Sequence, residues 1–421
     1  MFQRRFLGWQ LAALLGACAA AGAQEPARKP DASGNEALLY WQAFGLLSGL
    51  PKEERLAAEG GYSWQPSPPE VRREVFQKTA EAAKTIYRAT RMARCDWAED
   101  PAEGTAPMLP RVQMCRSLAR FLAFRAKHQF EQGQHRAAVD DLLAGFTLAR
   151  HTAADDTCIG MLVGVAIESV FAATSLEHLQ QMDPATLDAL QSGLDHIPPR
   201  PTWKAILAQD KRRLDEWLIP QFAATSDSEA WKATLRKMYP DAPVSDSASN
   251  LPPKSPKGKP DSPKVQQEAR PEEPQASVLI ERFGTREALV SHLKEGHKLL
   301  DELAQFPFPP PGTPSPQLMA KIDEMAKRSP LFRDYCSLSA NSYSLYSRGA
   351  VRFQLLRAAI AVQRHGREAL KDYPDPSGDG PFEYRKRKDG FELVAKLRSH
   401  LGPLSVKVGP LAEGEQRIQW N

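Results

Sequence analysis

The residue best placed for chemistry is Glu168. It lies in the apolar run Met161–Phe171, on a stretch that should be a buried helix. A buried carboxylate is costly unless paired. It can serve as an acid/base with a raised proton affinity. It can also form a structural ion pair with an arginine of a neighbouring helix, for which Arg120, Arg125 and Arg150 are the candidates. The ion pair is the expected outcome, because structural pairs imitate the signature of an active site.

His128, His135 and His151, with Asp140, Asp141, Asp155 and Asp156, are metal-ligand types. No His-x-x-x-His pair shares a helix, and Gly133 interrupts the spacing from His128 to His135. Solvated helix ends are expected instead, and Asp140 and Asp141 near a helix start favour its dipole. The serines between Ser337 and Ser347 lack the glycines of a nucleophile elbow. Trp41, Trp64, Trp97, Trp203 and Trp217 read as core. No catalytic, cofactor-binding or metal residue is assigned, and no cofactor is expected.

The elements that must position Glu168 span Leu109–Met182. Two apolar-periodic segments, Arg111–Gln132 and Arg136–Arg150, meet at Gln132-Gly133-Gln134. Leu118, Phe121, Leu122, Arg125 and Gln129 follow helical spacing in the first. Ala138, Leu142, Gly145 and Ala149 give the second a narrow face that admits a close neighbour. Gly133 suits a left-handed helix end, so the pair is an αα-hairpin. A third helix, Cys158–Met182, carries Glu168. The pattern Gly133…Ala138…Gly145-Phe146 resembles the second half of one tetratricopeptide repeat. Asp141 stands where that family has an aromatic, no proline follows Ala149, and no second copy occurs at its ~34-residue period.

Residues 1–23 read as an export signal. Arg4 and Arg5 precede the apolar Leu7–Leu15, and Ala21-Gly22-Ala23 suits cleavage. Leu15-Gly16-Ala17-Cys18 equally resembles the lipobox of bacterial lipoproteins, in which Cys18 would be lipidated. The net charge of +4 (55 − 51) is nearly neutral once the signal is gone. It does not suggest nucleic-acid binding. Ile159–Thr174 is the nearest approach to a membrane span, but it is short and contains Glu168. Cys95, Cys115, Cys158 and Cys336 form an even set that permits disulfides in an exported chain. Cys95 and Cys115 can be brought close by a turn-back, and buried free thiols are the other reading.

Along the remaining chain, 24–34 reads as a disordered tether. Asn35 caps a helix to Ser48 that buries most of its girth through Leu38, Leu39, Trp41, Phe44, Leu46 and Leu47. Pro51–Pro68 reads as a loop pinned by Tyr62 and Trp64. Pro69 opens a helix to Arg94. Asp183 and Pro184 start another through His196, and Trp203–Leu218 and Ser228–Met238 follow. Pro240–Pro274 contains nine prolines and no aromatic, so it is expected to be a disordered linker. Val278–Phe306, Gln317–Lys327 and most of Leu331–Leu370 are helical, with a proline tract at Pro307–Pro316. The tail alternates: Phe382-Glu-Tyr, a turn at Lys388-Asp389-Gly390, then Phe391-Glu-Leu-Val. Leu404–Val408 and Arg417–Trp420 can add strands.

This long helix followed by a meander resembles a pseudopilin-type tail, through Ala359–Gly366, Tyr373-Pro374, Pro376, Gly380-Pro381-Phe382, Tyr384 and Asp389-Gly390-Phe391. The whole chain resembles exported helical proteins of planctomycete-type bacteria. Leu39-Tyr40-Trp41-Gln42-Ala43-Phe44, Cys95-Asp96-Trp97 and Gly164-Val165-Ala166-Ile167-Glu168 carry that resemblance, which implies no activity.

The sequence therefore predicts a mainly α fold, an antiparallel array of αα-hairpins with a small C-terminal antiparallel β-meander. Its units are a signal (1–23), a tether (24–34), a helical domain (35–239), a linker (240–277), a helical segment (278–372) and the meander (373–421). The expected role is an exported scaffold or protein-interaction module of the cell envelope, periplasmic or secreted, with a lipid anchor at Cys18 as one option. Its expected partner is another envelope protein. An envelope hydrolase centred on Glu168, or an accessory of a pilus or secretion machine, is the alternative. A pocket around Glu168 holding a histidine or second carboxylate would favour the hydrolase. A groove lined by the hairpin helices would favour the binding protein.

Overall fold

A computed structural model describes residues 35–59, 68–92, 95–103, 108–155, 157–224, 229–238, 276–305, 316–328, 330–399, 402–412, 415 and 417. Among them are 15 α-helices and a three-stranded antiparallel sheet at the C-terminal end. The mainly α architecture with a small meander is thus as the sequence predicts. The export signal, the tether, Tyr62, Trp64 and the proline-rich stretches 240–274 and 307–315 lie outside the described residues.

Helix α1 (Glu36–Ser48) starts where Asn35 Oδ1 accepts from Ala37 N. It buries Ala37, Tyr40, Ala43 and Leu47, but Leu38 is 66% exposed and Leu46 46%. The expected burial of most of its girth, with Leu38, Trp41 and Leu46 among the buried residues, is therefore wrong: α4 and α5 pack on it, and these three side chains face away from the core. Part of the expected Pro51–Pro68 loop is helix α2 (Lys52–Glu59). Its Lys-Glu-Glu-Arg-Leu-Ala-Ala-Glu run is made of good helix formers, which outweigh the prolines flanking it. The expected helix from Pro69 is two, α3 (Pro69–Lys78) and α4 (Ala80–Thr90). Thr79 breaks it, bending the backbone while its hydroxyl donates to Val75 O at 2.7 Å.

The hairpin is α5 (Met108–Glu131) and α6 (His135–Thr152), joined through Gly133 at φ +71°. That left-handed value is one glycine adopts without strain. Helix α7 (Cys158–His178) packs on both, started by Thr157, whose hydroxyl accepts from Gly160 N. A Cβ on Gly164 would stand 2.7 Å from Ala149 O, so glycine there sets how closely α6 and α7 approach. By length and composition α7, continued to Gln181, would be able to cross a bilayer, which the sequence reading did not expect. About two-thirds of it is buried inside the protein, and it serves as a core helix.

Asp183 accepts from Thr186 N to start α8 (Pro184–His196). Helix α9 (Trp203–Arg213) continues through a π turn at Leu214–Leu218 into α10 (Ile219–Ala223), and α11 (Ala230–Met238) follows. The expected Val278–Phe306 helix is two, α12 (Ala276–Phe283) and α13 (Arg286–Ala304). Gly284 at φ +65° and the capping Thr285 part them. Helix α14 (Pro316–Arg328) precedes the long α15 (Pro330–His365).

Strands β1 (Glu383–Arg387), β2 (Gly390–Ser399) and β3 (Gly402–Val408) pair in chain order. Arg387 pairs with Gly390, so the turn residues are Lys388-Asp389 and Gly390 is already in β2. The turn is therefore one residue earlier than expected. Glycine at 390 is explained by crowding, not by positive φ: a Cβ would stand 2.0 Å from Val408 O. A fourth strand at Arg417–Trp420 falls mostly outside the described residues.

The chain before and after the proline-rich stretch shares one core. Leu118, Phe146 and Phe171 belong to the same buried cluster as Leu355, Ala359, Leu393 and Val406. Helix α15 packs on α7 and α8, and β3 on α15 and α7. Cys95, Cys115 and Cys158 are free thiols, so the turn-back between Cys95 and Cys115 makes no disulfide here. Burial pushes the Cys115 thiol up to about 11 and the Cys158 thiol up to about 12.

Candidate functional site

Helix α7 points Glu168 at the last turn of α6 and at the Pro198–Pro201 connector. Arg150, one of the three arginines considered from the sequence, reaches Glu168 Oε1. Arg120 and Arg125 go elsewhere: Arg120 lies by Glu59, and Arg125 donates to Asp141. The sequence reading missed Arg200. Its Nε donates to Glu168 Oε1 at 3.3 Å and its Nη2 to Oε2, a two-pronged fork. Its remaining donors reach Tyr346 O at 3.3 Å and Gly349 O at 2.8 Å, which ties the connector to α15.

Arg150 is therefore a second guanidinium on a carboxylate already forked by Arg200. It lies 5.0 Å from the centre of the Phe353 ring, and its Nε has no hydrogen-bond partner among the described residues. Burial lowers the Arg150 proton affinity to about 10, with Glu168 opposing the shift and Arg200 adding to it. Burial, then the charges of Arg348 and Arg200, lowers Arg352 to about 10. Both oxygens of Glu168 are thus held by cations, an arrangement suited to fixing α6, α7 and α15 together and poorly suited to proton transfer.

The histidines and aspartates read as metal-ligand types are dispersed. Tyr40 OH and His151 Nδ1 are 2.8 Å apart, and Trp97 Nε1 donates to His151 O at 2.6 Å. Tyr40 also stacks on Trp97, ring centres 5.8 Å apart. Burial alone lowers His151 to about 4, so its ring is neutral near pH 7. His128 packs on Phe76 and Phe124, and His135 lies beside Phe130. Asp140 stays at the surface, and Asp156 lies outside the described residues. Among the described residues no group of three or more His, Cys, Asp or Glu could hold a metal ion.

Asp155 joins a buried network that the sequence did not reveal. Arg111 Nε donates to Glu99 at 2.6 Å, its Nη2 to Asp155 at 2.5 Å and its Nη1 to Thr152 O at 2.8 Å. Arg213 of α9 reaches the other Glu99 oxygen at 3.0 Å.

Asp141 was expected at a solvated helix start but is fully buried. Tyr87 OH donates to it at 2.5 Å, Arg125 Nε at 3.3 Å, and Gln129 Nε2 to its other oxygen. Burial outweighs these donors and raises Asp141 to about 6. Arg125 in turn lies 4.2 Å from the Phe76 ring centre. Asp141 thus forms a polar clasp between α4, α5 and α6.

Next to that clasp is a solvent-facing cleft of about 300 Å³. Tyr87, Thr90 and Arg91 from the end of α4 form one wall. Asp140, Leu143, Ala144 and Thr147 of α6 form its floor, and Gly193, His196 and Ile197 of α8 close it. Asp140, Arg91 and His196 are exposed, so the cleft offers an acid, a cation and an imidazole beside the apolar Leu143 and Ala144 of its floor. Asp140 also faces Arg136 of its own helix at 4.0 Å. No protein-family model, no curated protein and no solved structure matches this chain.

Proposed function

We propose that the chain is an exported helical scaffold of the cell envelope that binds a segment of another envelope protein. The observation carrying this reading is the α4–α6–α8 cleft, whose floor is the second helix of the hairpin. A groove of this kind suits an extended or helical segment with one apolar anchor and flanking charges. The hydrolase reading has less support, because Arg200 and Arg150 occupy both Glu168 oxygens. A photo-cross-linking side chain at Asp140, used in living cells and followed by mass spectrometry, tests the proposal. A specific envelope partner should be captured. Arg91→Glu should abolish the cross-link without lowering stability, since Arg91 is exposed. A capture pattern indistinguishable from that of a cross-linker placed at Lys298, on exposed α13 surface, would sink it.

A further inference from the structure

The exposed large apolar side chains of the described residues are concentrated at one end of the chain. Leu38 (66% exposed), Trp41 (39%), Leu46 (46%), Leu56 (58%) and Val71 (37%) all lie in α1, α2 and α3. Three of the five belong to α1. That helix buries Tyr40, Ala43 and Leu47 on one side and turns Leu38, Trp41 and Leu46 outward. The Trp41 and Phe44 rings meet nearly edge-on with centres 6.2 Å apart. No residue from Ala37 to Pro51 is charged. Water is a poor solvent for such a surface, and scattered single apolar residues would not produce it.

We infer that the outer face of α1 docks on a lipid surface. Its chemistry favours lipid over a soluble partner. A protein interface usually rims its apolar centre with charge and hydrogen bonds. Here the outward face carries leucine, tryptophan, glutamine, glycine and serine, and the tryptophan suits the headgroup boundary. Chain length supports the same occupant. The docking rests on the lipobox reading of Leu15-Gly16-Ala17-Cys18, which places lipid-modified Cys18 at a membrane. From Cys18 to Asn35 the chain can span at most about 60 Å. The first helix after the anchor is therefore never far from the bilayer. Helix α1 packs on α4, while Tyr87, Thr90 and Arg91 of α4 line the binding cleft. Docking through α1 would leave that cleft open to a partner.

The test uses the chain from Gln24 to Asn421, which contains every described residue and no anchor. It is sedimented with vesicles of equal parts phosphatidylethanolamine and phosphatidylglycerol. The chain should pellet with the vesicles. Trp41→Asp and Leu38→Asp should each lower the bound fraction by roughly tenfold. Their thermal melting should be unchanged, because both side chains are already exposed. A wild-type chain that stays in the supernatant overturns the proposal, as do variants that bind equally well. Light scattering showing a dimer that Trp41→Asp dissociates would assign the face to a second copy and also overturn it. The N-terminal mass of the protein recovered from cells tests the export reading separately. A retained Met1, or an unlipidated N-terminus at Gln24, would defeat the anchor whatever the vesicles show.

Discussion

Arg200 and Glu168, 32 residues apart, form a two-pronged ion pair. One residue lies in a proline-lined connector and the other on the most apolar helix of the protein. The consequence is an asymmetry between the two arginines that reach Glu168. Removing the carboxylate leaves Arg150 and Arg200 buried against each other. Removing Arg150 leaves the fork intact. Glu168→Gln should therefore cost about 3–5 kcal/mol, and Arg150→Met distinctly less. Urea unfolding of both variants checks this. Equal losses would mean that Arg150, not Arg200, is the principal partner.

The clasp at Asp141 accepts from three donors. In Asp141→Asn one acceptor oxygen becomes an NH₂ group facing Tyr87, Arg125 or Gln129, and a donor then meets a donor. A loss of about 2–4 kcal/mol is expected. Because Tyr87 forms one wall of the cleft, partner capture through an Asp140 cross-linker should weaken too. Asp141→Asn melting at the wild-type temperature would show that the clasp contributes little.

Two buried groups give stability opposite pH dependences. His151 is lowered to about 4 in the folded protein, against about 6.5 in an unfolded chain. Its contribution is complete above pH ~6.5 and is lost as pH falls towards 4, where the unfolded state takes up the proton first. Asp141 is raised to about 6 from about 3.9. Its contribution is complete below pH ~4 and declines as pH rises through 6. The two trends largely cancel in the wild type. His151→Phe should remove the His151 trend and tilt the profile towards lower stability as pH rises between ~4 and ~6. A pH profile unchanged by this substitution would show that His151 does not titrate as described.

A Cβ at Gly390 has no room beside Val408 O. Gly390→Val should force β2 and β3 apart and cost about 2 kcal/mol or more. Since the sheet shares its core with α7 and α15, the damage should reach beyond the tail. Hydrogen exchange should show faster amides in α7 as well as at 390–399. Loosening confined to the strands would show that the sheet is energetically separate.

Much of the architecture was legible because local chemistry and final structure agree. Asn35 and Asp183 each start a helix as a side-chain cap, as their residue types suggest. Gly133 ends one with the positive φ its position demands. The misread places are those where distant packing decides. Thr79 looks like an ordinary helical residue, and nothing in its neighbours announces a break. Leu38, Trp41 and Leu46 look like core, because a sequence shows apolarity but not which face lacks a neighbour. At the candidate sites, Arg150 was legible as one of three candidate partners of Glu168, because it lies on the neighbouring hairpin helix. Arg200 was not, because Pro-Pro-Arg-Pro reads only as a stop. Asp141 looked solvated because its three donors come from two other helices.

Arg150 and His151 are adjacent on α6, yet they serve different neighbours. One side chain turns to α7 and Phe353, the other to Tyr40 of α1. Successive residues on a helix are rotated by about 100°, so one axial position of α6 satisfies both. The number of residues between Gly133 and His151 thus acts as a ruler. A single-residue insertion there would swing both side chains away from their partners together, and no local repacking could restore one without the other. Length variation in proteins built this way should therefore collect at Gln132-Gly133-Gln134, before the ruler begins, while α6 keeps its count.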